Sequence, residues 1–293
     1  LIISLIVMFD RIIGIVLGKY YFSQESGGYY RTTYAMDSTT ADILVLGSSR
    51  ANHSYVPEIF EDSLGLTCYN TGKDGNHVLY NFALFRTVLK RYNPSILIFD
   101  ITPDNLSFAA SEYDRLSVLL PYYRKHPEIA EIISYRGPFE KVKLLSSIYP
   151  FNSMIFRIAM GNLELNKNRE RDFNGYVPLF RTMEYEERDT LKSNTSTPDE
   201  LKINALQEIA ATCQQENIDL FFICSPFWYI RAKNQYDTLI SEISTSYDAV
   251  WLDMSNDSTF STNSDYFADI SHLNDQGARF FSATLINEIK NLR

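Results

Sequence analysis

The sequence predicts a single three-layer α/β domain, with helices on both faces of a mostly parallel sheet of about five strands. Three observations carry that expectation. Short, almost wholly apolar runs alternate with segments of helical period. The runs lack the polar alternation of a half-exposed strand, as expected for strands covered on both faces. Several of them end in polar, Gly- or Asn-bearing loops, where open parallel sheets bind their ligands. A chain of 293 residues with 45% hydrophobic and 22% charged residues has the composition of a globular protein and excludes wholesale disorder.

Residues Leu1 to Leu17, LIISLIVMFDRIIGIVL, are apolar except for Ser4, Asp10, Arg11 and Gly14. At about 17–20 apolar residues per bilayer span, they read as a membrane anchor (residues 1–22) shortened at its outer end. The Asp10-Arg11 pair is costly there, a cost eased by its opposite charges. Residues 23–40 are polar and Tyr-rich and read as a linker, so a chain starting near Ser23 is expected to fold. The domain proper covers 41–293. Asp42 to Leu46 is a first strand, ending in Gly47-Ser48-Ser49-Arg50, and Leu66 to Tyr69 is a second. Over 77–91 the spacing of Val78, Phe82, Phe85, Val88 and Leu89 predicts a helix, stopped by Pro94. Ser95 to Ile101 is a third strand.

The alternation then breaks. Residues 106–197 contain short apolar helical segments and a polar stretch, Asn162 to Asn174, and read as a helical insertion. Thr197-Pro198 starts a helix over 198–216. Strand four is Ile218 to Cys224, a helix covers about 231–246, and strand five is Ala249 to Leu252. Asn274 or Asp275 caps a final amphipathic helix.

An excess of 36 acidic over 27 basic residues, a net charge of -9, gives no cationic surface for a phosphate backbone and argues against nucleic acid as a partner. The three cysteines are too few and too widely spaced for a disulfide framework or a zinc ribbon, and Cys68 and Cys224 fall in apolar runs as buried thiols.

The polar groups at the strand ends are the candidate chemistry. Ser49 follows strand one. Asn70-Thr-Gly72-Lys-Asp-Gly75-Asn76 follows strand two. Asp100-Ile-Thr-Pro-Asp104-Asn105 follows strand three. Asp269-Ile-Ser-His272 precedes the last helix. A serine hydroxyl needs a base to become a nucleophile; His272 is the candidate base, as imidazole is the usual one near neutral pH, and Asp269 its orienting carboxylate. Backbone N–H groups of Ser49 and Gly75 are candidate oxyanion donors. Each piece has a plainer reading taken alone: a turn and helix cap, a glycine loop, a solvated acid. A glycine loop after strand two rather than strand one argues against a dinucleotide site. A metal centre from His53, His77, Asp269 and His272 is the competing arrangement, without tight His spacing to support it. His126 reads as a surface residue. Arg50 and Lys73-Asp74 are candidates to meet an anionic substrate, or else solvated loop residues.

Taken together and in this order, the motifs resemble the SGNH (GDSL-like) hydrolase family, over about residues 42–104 and 198–292. Gly47-Ser48-Ser49 is similar to its Gly-Asp-Ser block, with Ser48 in place of Asp. Asn70-Thr-Gly72-Lys-Asp-Gly75 is similar to its Asn-x-Gly-x-x-Gly block, and Asp269-Ile-Ser-His272 to its Asp-x-x-His block. The resemblance implies a flavodoxin-like strand order 2-1-3-4-5, a Ser49–His272–Asp269 triad and no cofactor or metal. It implies a serine esterase or O-acyl (acetyl) transferase. With the anchor, it points to an acylated carbohydrate or bacterial cell-envelope glycan as substrate, and to an extracytoplasmic, periplasmic domain. The family's third block, Gly-x-Asn-Asp, is absent. Its asparagine donates to the oxyanion, and Asn105 and Asn76 are the replacements considered, with Asn52 behind them. Losing such a donor costs roughly 100- to 1000-fold in turnover. The alternative reading is therefore a membrane-tethered binding or assembly protein that keeps the fold without turnover.

Overall fold

The structure is a computed structural model, and it describes residues 1–165, 167, 171–184, 187–191 and 197–292. Its centre is a five-stranded, all-parallel sheet of β1 (Ile43–Leu46), β2 (Cys68–Asn70), β3 (Ile96–Asp100), β4 (Asp219–Cys224) and β5 (Val250–Asp253), in the spatial order β2-β1-β3-β4-β5. Register pairs Ile43 with both Cys68 and Ile96, and Ile96 with Asp219, so the strand ends come level along one edge.

Alternate residues divide the sheet between two cores. Leu44, Leu46, Leu97, Phe99, Leu220 and Phe222 face one way. They pack against helices Val78–Leu89, Glu200–Glu216 and Gln235–Ser246. Ile43, Val45, Ile96, Ile98, Phe221 and Ile223 face the other way, against Ala51, Phe60, Phe281 and Leu285 from helices Ser49–Ser54, Pro57–Leu64 and Asp275–Leu292, and against Tyr55 between the first two. With period two in the strands, both sets must be apolar, which is why these runs show no polar alternation.

The ends of the chain's first segment differ from the reading above. The apolar stretch does form a helix, Ile2–Phe22, but no helix among the described residues is long and apolar enough to cross a membrane. Residues 1–9 are exposed. From Asp10 onward one face docks on the insertion. Asp10 accepts from the Ser147 N–H at 2.7 Å, and Arg11 donates to Ser147 Oγ at 2.7 Å. A Cβ at Gly14 would lie 2.3 Å from that of Ser147, so glycine lets the backbones approach. The Asp10-Arg11 pair that looked costly in lipid is thus used against protein. Residues 23–40 are not a linker. They carry a helix, Gly27–Asp37, with Thr32, Ala35 and Met36 buried. Tyr21 is fully buried among Tyr29, Tyr122 and Phe151.

The insertion is helical over most of 110–162, in short α and 3-10 turns, and irregular beyond, with residues 166, 168–170, 185–186 and 192–196 outside the described set. It is part of the domain. Fully buried Lys202 donates to the Ser107 carbonyl at 2.8 Å and pairs with Glu112 at 2.6 Å. His126 is not on the surface: its ring lies between Asp37 and Glu128, at 2.8 and 2.9 Å. Burial pushes its pKa down, but the two carboxylates outweigh that and raise it. All three cysteines are buried free thiols.

Because Tyr21 fills the first core, a chain starting at Ser23 uncovers Tyr122 and Phe151. Tyr21→Ala is expected to cost about 3–5 kcal/mol of stability, as for other large buried aromatics, read from urea unfolding. A loss below about 0.5 kcal/mol would show that the first helix is only loosely docked.

Candidate active site

The candidate nucleophile sits on a strand-to-helix elbow. Between Leu46 and Ser49 the chain turns at Gly47, whose φ is +150°, and a Cβ there would come 2.6 Å from that of Ala51 and 2.9 Å from the Asp100 carbonyl oxygen. Only glycine fits. The Gly47 N–H donates to Asn81 Oδ1 at 2.9 Å, and its carbonyl accepts from the Lys73 N–H at 3.2 Å. Held from two sides, the elbow presents Ser49 at the carboxyl end of an inner strand.

A short antiparallel hairpin, Phe267–Asp269 with His272–Leu273, brings the base to it from 223 residues away. His272 Nε2 lies 2.8 Å from Ser49 Oγ, and His272 Nδ1 lies 2.8 Å from Asp269 Oδ1. The Ser271 and His272 N–H groups also donate to Asp269 Oδ1, at 3.0 Å each, and Arg181 Nη2 donates to Oδ2 at 2.7 Å. This geometry favours the tautomer with the proton on Nδ1, leaving the Nε2 lone pair to accept from the serine. Burial pushes the Asp269 carboxyl up, but its bonds to His272, Ser271 and Arg181 outweigh that and hold it well below the usual carboxylate range. The stability it contributes is present above an ordinary carboxylate pKa and is lost only as pH falls through that depressed value.

The three side chains open into a cavity of about 470 Å³, walled by Pro178, Leu179, Phe180 and Arg181 from the insertion and by His53 and Asp74. His53 stands edge-on to His272, ring centroids 5.7 Å apart. Its Nδ1 donates to the Val177 carbonyl oxygen at 2.6 Å, and its Nε2 faces Asp74 Oδ1 at 3.4 Å.

The second loop lies against the helix that begins at Ser49. Asn70 donates to the Ala51 and Tyr55 carbonyls at 2.7 and 2.9 Å and accepts the Gly72 N–H at 2.9 Å. A Cβ at Gly72 would be 2.3 Å from the Asn52 nitrogen, so this glycine is needed for contact with that helix. Gly75, at φ +69°, turns the loop tip and accepts from Arg115 at 2.9 Å.

The asparagines considered as oxyanion donors are placed less favourably. Asn105 lies in the 3-10 turn Pro103–Leu106 and lines neither this cavity nor the larger one beside it. Asn76 is buried and its amide donates to the Asp74 carbonyl at 3.0 Å. Asn52 donates to Asp74 Oδ1 at 2.7 Å. Arg50 does not reach out to a substrate either: it is buried beneath the site, bonded to Ser225 and Thr102 and 3.7 Å from Asp100. His77 caps the helix Val78–Leu89, its pKa pushed down to about 4 by burial and by the charges of Lys202 and Arg115. Among the described residues, no group of three or more His, Cys, Asp or Glu is arranged to hold a metal ion.

The chain matches no protein-family model and no curated protein. The geometry therefore stands on its own. Sequence reasoning missed Arg181 and the Pro178–Phe180 wall, because an irregular insertion carries no periodicity to place it. The four-residue spacing of Ser49 and His53 on one helix makes the site rim one of two places for His53, and the structure puts it there; its pairing with Asp74 is seen only in the structure.

Ser49→Ala is expected to abolish labelling by a fluorophosphonate probe with the thermal midpoint almost unchanged. Ser48→Ala should leave labelling nearly intact, and the reverse pattern would move the nucleophile by one residue. On an ester that the wild type turns over, Asp269→Asn should lower kcat about 10⁴-fold, because the ring is then held in the wrong tautomer.

Proposed function

We propose that the protein is a serine esterase or O-acyltransferase of SGNH-like design, acting on an acylated carbohydrate of the bacterial cell envelope. The observation that carries this reading is the unbroken contact from Ser49 through His272 to Asp269, at 2.8 Å and 2.8 Å. Ser49 Oγ attacks the acyl carbonyl carbon as His272 Nε2 takes its proton, and Asp269 stabilises the imidazolium without being protonated. The tetrahedral oxyanion is met by the N–H of Ser49, one of the donors a helix start leaves unpaired; the reading asks the same of the Gly75 N–H, at the tip of the second loop and outside the lining of both cavities. Collapse breaks the ester C–O bond. His272 returns the proton to the departing alcohol, leaving an acyl group on Ser49. Water or a sugar hydroxyl then attacks, deprotonated by the same histidine. Hydrolysis and transfer differ only in that last acceptor.

The non-catalytic alternative, a tethered binding or assembly protein, has its own support: Asn105 lines neither cavity, and the Asn76 and Asn52 amides are engaged by Asp74. Backbone donors alone then serve the oxyanion, and slow turnover is expected. Fluorophosphonate labelling at Ser49 together with hydrolysis of p-nitrophenyl acetate separates the two readings. Absence of both in the wild type leaves the binding protein.

We also propose that the first helix tethers the domain to a membrane. Its first nine residues are exposed, with Ile2, Ile3 and Ile6 at 74%, 77% and 62%, an apolar surface whose transfer from water is favourable. The full chain is expected to float with phospholipid vesicles in a density gradient, and Ile3→Asp with Ile6→Asp to stay at the bottom. Wild type at the bottom would remove the tether and leave the esterase reading untouched.

A further inference from the structure

Beside the triad lies a larger cavity, of about 680 Å³, that the proposed acyl transfer does not use. The two share a wall: His53, Asp74, Pro178 and Leu179 line both. A group bound in one is therefore next to the serine in the other.

Among the described residues its lining is chemically one-sided. Arg31 comes from the helix Gly27–Asp37, Lys73 from the loop after β2, and Arg115 and Arg157 from the insertion, so four cations converge from three parts of the chain. Among the described lining residues the sole acid is Asp74, and its carboxylate is already engaged by Asn52 at 2.7 Å and by His53 at 3.4 Å. Arg115 is held by the Gly75 carbonyl oxygen, a contact that fixes the guanidinium without cancelling its charge. Arg31 pairs with Asp172 at 4.0 Å, and Lys73 donates to the Gly28 carbonyl oxygen at 3.0 Å, so both are held in place by partners. In a protein of net charge -9 such a cluster is against the trend of composition, and a concave site lined by one sign of charge concentrates ligands of the other.

A second, independent feature is the pair of orphaned acceptors. Asn52 and Asn76 line the cavity at 2% and 8% exposure, and the Oδ1 of each has no hydrogen-bond partner. In both, the amide nitrogen is the atom that bonds to Asp74, which fixes Oδ1 as the free end. A buried acceptor left unpaired costs about 1–3 kcal/mol; each Oδ1 is closed to solvent in this conformation, and a ligand hydroxyl that displaces its cover removes that cost. Cations that meet an anion, together with carbonyl oxygens that meet hydroxyls, describe one ligand class.

We infer that this cavity is a subsite for an acidic saccharide, a hydroxyl-rich ring bearing a carboxylate or phosphate, which sets the acylated sugar against Ser49. This deepens the proposed function by naming the charge of its substrate, and it rests on that reading only for the role of Ser49. Arginine suits the task because its planar fork meets carboxylate and phosphate oxygens in pairs.

The test measures binding rather than turnover. The full-length Ser49→Ala protein is titrated calorimetrically with tetragalacturonate, with a neutral galactose tetramer and with glucose 1-phosphate. At least one of the two acidic probes should bind ten-fold or more tighter than the neutral tetramer, and should weaken several-fold between 50 and 300 mM NaCl. Which of them responds identifies the anionic group. Arg157→Gln and Arg31→Gln should each weaken that probe about three- to ten-fold, and Arg157→Lys should restore most of the loss. Equal binding of acidic and neutral probes, no binding of any of them, or full affinity in both arginine variants overturns the subsite even if Ser49 reacts with fluorophosphonate. Conversely, selective binding in a protein that no fluorophosphonate labels upholds the subsite and removes the hydrolase.

Discussion

Beneath Ser49, a buried arginine ties the ends of three strands together, and the candidate site depends on it. Arg50 follows Ser49 directly, so the serine can be no better placed than this side chain allows. Its guanidinium bonds to the Ser225 hydroxyl and carbonyl after β4 and to Thr102 after β3, lies 3.7 Å from Asp100, and stacks 3.5 Å from the Phe227 ring. Tyr55 completes the set by donating to the other Asp100 oxygen at 2.7 Å. A buried ion pair is weak evidence of net stability, but removing one partner strands the other charge and costs about 3–5 kcal/mol. Parallel strands leave a crevice at their carboxyl ends; here a charge network fills its floor, and the reacting groups stand on top.

Two kinds of constraint meet at that floor. The elbow at Gly47 and the loop at Gly72 are steric: backbone must pass where no Cβ fits, which brings β1, β3 and the second loop into contact around Ser49. The Asp269 hairpin is electrostatic: one carboxylate gathers two backbone N–H groups, an imidazole and a guanidinium, so that the histidine ring has one orientation. The sterics fix where the serine is; the electrostatics fix which way the histidine ring faces it.

The insertion and the N-terminal helices are joined to this scaffold by buried polar contacts as well as apolar ones. Lys202 with Glu112, His126 with Asp37 and Asp10 with Ser147 each bridge segments far apart in sequence. As a result the wall over the triad and three of the four cations of the neighbouring cavity come from regions outside the α/β repeat. Under the proposed function, specificity lies in the added segments while the chemistry lies at the sheet.

The sequence by itself determined the sheet, because fully covered strands must be continuous apolar runs and helices between them must show period 3.6. All five strands and the helices over 78–89, 200–216, 235–246 and 275–292 were legible within a few residues. The convergence of Ser49, Asp269 and His272 was legible too, from polar motifs standing at strand ends and before the last helix. Tertiary structure alone decided the rest. An apolar N-terminal run looks the same whether lipid or protein covers it, and only packing showed that Tyr21 joins the core and that residues 27–37 form a helix. Arg50 and His126 are charged residues that sequence reasoning puts in solvent; buried partners from distant segments reverse that. Arg31, Lys73, Arg115 and Arg157 carry no common spacing, and a charge cluster assembled from three separate segments exists only once the chain has folded.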